Sequence, residues 1–337
     1  MTATIRMTSP AQMAASLPMM LGYTPTESLV VLCCHEPRGR IGLTMRFDLL
    51  PVAHEDEQVR QVVARVRQQH ATRVVLAVYT DETGQAREAL MTKLCEELSD
   101  LVITEALLVR EGRFWSYRCH DPRCCPAEGT PVDDAEDSAA VQLLKAERVL
   151  GGKVQLASRE ELEASIAGPV FLTEQVALQR CEEACELVVQ RVLDKGQDVT
   201  RSLALDRWHE VVRRFDDVRA ELTEHEAAEL AVSLLDRTLR DHVLSLPGDS
   251  AGLVRLLEDL LRRTPAPYDV PAATVLGWLD YAAGGGSRVT ILLERALRGD
   301  PTYVLAVYLQ HMLDNLVDPE RIRDLITSTR KALRDVA

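Results

Sequence analysis

The spacing of apolar residues changes partway along the chain, and that change predicts two kinds of architecture. In the first half, Ser9 and Pro10 form an N-cap with proline at the first helical position, opening a short apolar helix that ends near Gly22. Residues 28–34, Ser28 followed by a continuous apolar run, have strand length, and a polar loop over 35–40 follows. The next segment alternates, with Leu43, Met45, Phe47 and Leu49 on one face and Thr44, Arg46 and Asp48 on the other, so the two segments predict a hairpin. Val59, Val62, Val63 and Val66 then mark an amphipathic helix, residues 74–79 a strand, and Ala86, Leu90, Leu94 and Leu98 a second helix. A third apolar strand over 101–109 turns at Glu111-Gly112 into another at 114–117. The order β-β-α-β-α-β-β predicts an α/β domain, a mixed sheet flanked by helices. The strand over 74–79, apolar on both faces, should lie near its centre.

Residues 119–137 are rich in proline, glycine and aspartate and longer than an ordinary connection. A helix over about 138–150 should stop at Gly151-Gly152. Ser158 with Glu161 is a capping-box pattern for the next one, and Gly168-Pro169 closes it. The domain boundary is placed there, giving an α/β domain over 1–168 and an all-helical domain over 169–337. In the second domain Leu178, Cys181, Cys185, Val188 and Val192 form one stripe, and Leu205, Trp208, Val212, Phe215 and Val218 another. Thr223 and Glu226 suggest a capping box opening a helix to about Leu246. Helices on Leu253, Leu256, Leu257 and Leu260, and on Val275, Trp278 and Leu279, follow it. Gly284-Gly285-Gly286 reads as a helix stop, Ser287 as the next cap, and Asp300-Pro301 and Asp318-Pro319 as two further helix starts. Short antiparallel helices of this kind predict repeat-like helical hairpins, a form that often presents a protein-binding surface.

Charge narrows the partners. Residues 1–168 hold 18 basic and 24 acidic side chains, and the remainder of the 337 hold 21 and 28, so the net charge of -13 is spread evenly. Neither half carries the basic footprint that nucleic acid or an anionic membrane surface needs. No apolar run exceeds seven residues, against about 20 for a bilayer span, and no secretory signal pattern opens the chain. A cytoplasmic location is therefore expected. Eight cysteines are too sparse for a disulfide scaffold and read as thiols. Only five of the 39 basic residues are lysine, which reads as a GC-rich coding bias.

Candidate chemistry concentrates between Trp115 and Pro126. Cys119, His120, Cys124 and Cys125 have the atom types zinc requires, but the adjacent pairs strain a tetrahedral centre and no second C-x-x-C knuckle exists. Arg118, Arg123 and His120 could lower a thiol pKa, with Asp121 orienting the imidazole, and Cys124-Cys125 could act as a redox pair. The preferred reading is a folded-back loop packed by small sulfur side chains under Trp115 and Tyr117. Asp81 follows the expected central strand, where open α/β sheets hold ligands, or else it shapes a turn. Arg46 and Asp48 share a strand face and either bind a polar ligand or pair with each other. Cys181 and Cys185 stand one helical turn apart on an apolar stripe and read as packing.

Several segments also carry a resemblance. Ser16 to Val31 (SLPMMLGYTPTESLVV), Arg46 to Leu49 (RFDL), Val75 to Asp81 (VLAVYTD), Arg113 to Cys119 (RFWSYRC) and Leu293 to Pro301 (LERALRGDP) resemble, in order, an actinobacterial family known as domain of unknown function 4192. So do Asp121, Pro122, Cys124, Pro126 and the stretch from Glu128 to Val132. The resemblance implies a bacterial cytosolic protein and no particular activity, cofactor or catalytic residue. The expected function is a non-catalytic binding module. A small molecule would be recognised near Arg46, Asp48, Asp81, Trp115, Tyr117, Cys119 and Asp121, and a protein partner would dock on the helical half, with no cofactor. The alternative is an enzyme, redox or zinc protein built on the Cys119–Cys125 cluster.

Overall fold

The computed structural model describes residues 5–36, 39–83, 87–119, 121–123, 125–150, 155–246 and 251–336. They form two compact units, Met1–Arg159 and Glu160–Ala337.

The first unit contains α1 (Pro10–Leu21), β1 (Ser28–His35), β2 (Arg40–Asp48), α2 (Glu55–Gln68), β3 (Arg73–Tyr79), α3 (Glu88–Glu97), β4 (Val102–Arg110), β5 (Arg113–Ser116), β6 (Thr130–Pro131) and α4 (Ala139–Leu150). The strands make one mixed sheet in the order β2-β1-β3-β4-β5-β6, in which β3 and β4 are parallel and the other neighbours antiparallel. β1 and β3 are buried along almost their whole length, which requires a covering layer on each face. α1 packs with α4, and α2 with α3. Ser9 caps α1 by accepting from the Gln12 N–H, and Gly22 closes it with φ +87°. The segment 119–137 contains β6, two residues paired to β5 that no hydrophobic run announces.

The second unit is helical: α5 (Arg159–Ser165), α6 (Phe171–Lys195), α7 (Gln197–Arg214), α8 (Glu224–Ser233), α9 (Arg237–Leu244), α10 (Ala251–Arg263), α11 (Val270–Ala282), α12 (Ser287–Gly299), α13 (Val304–Asp314) and α14 (Pro319–Val336). Every residue of α11 is buried, and α9, α10, α12, α13 and α14 all pack on it. Its polar groups are met inside the unit. Thr274 Oγ1 donates to the Val270 carbonyl at 2.8 Å, Tyr281 to that of Val317 at 2.7 Å, and Trp278 Nε1 to that of Leu305 at 3.2 Å. Asp280 takes Arg288 Nη2 at 2.7 Å, and Glu258 pairs with the same guanidinium.

Four helical expectations change, the first being that Gly286 and not Ser287 is the N-cap of α12. The helix opened by Thr223 ends at Ser233, and a new one starts at Arg237, because Asp236 Oδ1 accepts the Leu239 N–H as a second N-cap while Oδ2 holds Arg201 Nε at 2.8 Å. After Asp300-Pro301 the chain makes a turn, with Asp300 accepting from the Thr302 N–H at 2.8 Å, and α13 starts only at Val304. On α7 the buried residues are Thr200, Trp208 and Val211, followed by Phe215 just past its end, while Val218 is exposed.

Arginines meet the carbonyl ends of these helices. Arg255 Nε donates to the Phe215 carbonyl after α7 at 3.1 Å, and Arg323 Nη1 to that of Ala282 in α11 at 2.6 Å. Arg330 bonds Ser245 and Leu246 after α9. Arg295 reaches Leu261 and Thr264 at the end of α10 and Ile166 after α5. Such carbonyls have no partner within their own helix and must find one when buried. Arg255→Lys, which cannot fork across the Phe215 and Asp216 carbonyls, should therefore lower stability by about 1–2 kcal/mol in urea denaturation. Arg60→Lys, at an exposed pair with Glu57, should change it by less than about 0.5 kcal/mol.

Glu226 supplies a pH dependence. Hydrogen bonding from Arg214 holds its carboxyl well below the usual range, at about 2, with the Thr223 N–H and Arg207 adding to the effect. A folded-state pKa below the unfolded one gives stability that is present above the unfolded value and lost as pH falls toward the folded value. Melting temperature should therefore fall between about pH 5 and pH 2 partly through this group, and Glu226→Gln should be less stable at pH 7 and flatter across that window.

Candidate functional site

The candidate residues fall into two places. At the carboxyl end of β3, Ser28 lies opposite both Asp48 and Tyr79. Arg46 donates from Nε to Ser28 Oγ at 2.8 Å and pairs through Nη2 with Asp48 at 2.6 Å. Arg46 and Asp48 thus meet each other, and because Asp48 is 74% exposed the pair adds little stability. Asp81 is exposed, and its backbone N–H donates to Glu27 at 2.9 Å. Both Glu27 carboxylate oxygens also accept from Thr80 Oγ1, at 2.8 and 3.0 Å. A carboxylate from this chain therefore takes up the donors at the crevice position where a ligand of an open α/β sheet would sit. Beside it Arg87, with φ +60°, donates to the Leu50 carbonyl at 2.8 Å and to Glu82 at 2.7 Å, and meets Glu55 at 3.4 Å.

The second place is a pocket of about 300 Å³ between the β4–β5 hairpin, the first residue of α3 and the following loop. Trp115, Tyr117 and Cys119 line it, joined by Glu88, Cys125 and Pro126. The wall is fixed from several sides. Trp115 Nε1 donates to the Ala127 carbonyl at 3.0 Å, and the Arg110 guanidinium lies 4.8 Å from the indole centroid. Gly129, at φ +78°, lies so close to the ring that a Cβ there would come within 2.6 Å of it. Arg113 donates to the Gly129 carbonyl at 2.7 Å, and Ser116 Oγ accepts the N–H groups of Arg118 and Cys119, each at 3.1 Å. Burial raises the Tyr117 hydroxyl pKa, with Glu88 adding to it, so at neutral pH Tyr117 keeps its proton.

Asp121 is not in this wall. It accepts from Arg123 through both the backbone and the guanidinium, which lowers its pKa and shapes the local turn. His120 and Cys124 lie outside the described residues. Among the described residues no three His, Cys, Asp or Glu side chains come together to hold a metal ion. The sequence reading missed Glu88 and Glu27. Glu88 could have been found as the acidic first-turn residue of the helix after β3, whereas Glu27 left no signal, since its role depends on a strand distant in sequence.

The chain matches the model of a family described as domain of unknown function (DUF4192) over residues 10–320. It belongs to that family. No curated protein and no solved structure matches it. Among the described residues of this DUF4192 protein, no helix is long and apolar enough to cross a membrane.

The thiols divide by environment. Burial pushes Cys33 up to about 12, with Cys34 adding to it, and pushes Cys181 to the same value, with Cys185 adding to it. Cys34 and Cys95 are raised by burial too. Cys181 packs with Ala228 and Val232, and Cys185 lies at the edge of the same cluster. At pH 8 an aromatic disulfide reagent should leave Cys33 and Cys181 in the slow phase of the native protein and reach them at once in denaturant. Cys33→Ser and Cys181→Ser should leave the fast amplitude unchanged.

Proposed function

We propose that this DUF4192 protein is a non-catalytic binding protein whose first unit recognises a small ligand in the pocket at the β4–β5 hairpin. The supporting observation is the composition of that pocket. Two aromatic rings, proline and two thiols surround one carboxylate, Glu88, and one protonated hydroxyl, Tyr117. Such a lining suits a flat apolar body carrying a single donor or cationic group directed at Glu88. The proposal involves no reaction. A protein partner on the second unit belongs to the same reading, supported by exposed apolar side chains on α6 and α7, among them Val189, Leu193 and Leu203. A cytoplasmic setting fits the thiol state of the seven described cysteines.

Tryptamine, a flat ring bearing an ammonium, is a direct probe. It should raise the melting temperature of the full-length protein and quench Trp115, which is half-buried while Trp208 and Trp278 are buried. Glu88→Gln, at an exposed position, should weaken binding about tenfold, corresponding to about 1.4 kcal/mol, with no loss of fold. Affinity unchanged by Glu88→Gln, or covalent capture of the probe on Cys119 or Cys125, would refute the reading.

A further inference from the structure

The second unit has its own pocket, built from different chemistry. It has a volume of about 380 Å³ and lies between the chain after α5, the α10–α11 connection and the outer face of α12. Ile166, Pro265 and Ile291 give it apolar walls, and Asp269 stands at its inner side. Asp269 is 3% exposed. Its Oδ2 takes Arg295 Nε at 2.6 Å, but its Oδ1 is buried and has no hydrogen-bond partner.

Arg295 does not supply the missing donor, because its two terminal nitrogens are directed elsewhere. Nη2 bonds the Leu261 and Thr264 carbonyls at 2.9 and 3.1 Å, and Nη1 bonds that of Ile166. Gly299 also lines the pocket, packed so closely on Val270 that no side chain fits there. A Cβ there would stand 3.9 Å from Oδ1 and collide with Val270. A buried carboxylate oxygen left without a donor is costly, and a ligand donor that reached it would recover that cost.

The charge around the pocket has the complementary sign. Carboxylates of Glu163, Glu174, Asp269 and Glu294 line it against guanidinium groups of Arg295 and Arg298, four against two, an excess of two negative charges. A divalent metal does not fit this arrangement, since among the described residues no three ligating side chains converge. An aliphatic cation does fit, because it brings both a donor for Oδ1 and a hydrocarbon body for the walls.

We propose that this pocket binds a small aliphatic amine, with its ammonium group on Asp269 Oδ1 and its methylenes between Ile166, Pro265 and Ile291. The acidic rim raises the local concentration of such cations and disfavours carboxylates and phosphates. The site lies wholly within the second unit and does not depend on the pocket at the β4–β5 hairpin.

The probe is 1,4-diaminobutane, titrated calorimetrically into the full-length protein at low ionic strength, with n-butanol as the neutral control. One site should appear, weakened several-fold by 0.3 M salt, with no binding of n-butanol. Glu174→Gln, at an exposed position, should weaken it a few-fold. Ala167→Phe, exposed on the pocket wall, should abolish it without lowering the melting temperature. Asp269→Asn should lose more than tenfold in affinity if it folds, and the two exposed variants carry the test if it does not. Glu88→Gln should leave diaminobutane binding unchanged, so failure of one pocket is distinguishable from failure of the other. Absence of binding at millimolar amine, equal binding of n-butanol, or full affinity in Ala167→Phe would overturn the proposal.

Discussion

The carbonyl groups at the ends of short buried helices need donors from outside the helix, and in this protein arginines supply them. Each helix leaves its last turn of carbonyls unmatched, and the second unit buries many such ends around α11. Arg255, Arg295, Arg323 and Arg330 answer them from later helices, so each bond also ties two elements together. A lysine ammonium could meet one carbonyl but not hold two in a plane. The ratio of 34 arginines to 5 lysines agrees with a coding bias, and in the folded chain the guanidinium groups are put to structural use.

Arginine-to-carbonyl bonds also shape both pockets, in the first unit at loop and strand carbonyls. In the first unit Arg113 holds the Gly129 carbonyl and Arg118 that of Ile103, while Arg110 bonds the Glu82 carbonyl and lies over Trp115. The wall carrying Trp115 and Tyr117 is therefore fixed, which would lower the ordering cost of the binding proposed there. In the second unit the demand works in the opposite sense. Arg295 serves three carbonyls and one Asp269 oxygen, and the other oxygen is left unmatched. The first pocket is thus apolar and aromatic with a single carboxylate, and the second is acidic with one unsatisfied acceptor.

Much of the first unit was legible because period-two alternation and continuous apolar runs mark strands directly. The hairpin of β1 and β2 and the central place of β3 follow from residues 28–34, 41–49 and 74–79. β6 was not legible, since two residues, Thr130 and Pro131, have no periodicity. The break between α8 and α9 was hidden for another reason. Asp236 sits in an amphipathic stretch, and only its bonds to the Leu239 N–H and to Arg201 make it a cap. In the candidate site, Trp115, Tyr117 and Cys119 were found from their density in the sequence and do share a pocket. Arg46 and Asp48 were found from their shared strand face, and they meet each other on the edge strand β2.

Sequence alone determined the class of each half, the strand that would be central and the stretch where aromatic and sulfur chemistry gathers, because these depend on local spacing and composition. Tertiary structure decided which polar groups meet. Glu27 takes the donors beside Asp81, Glu88 closes the aromatic pocket, and Asp269 keeps one oxygen without a partner. Those pairings join residues tens of positions apart, and a hydrogen bond forms only over a few ångströms of real distance, which no periodicity along the chain encodes.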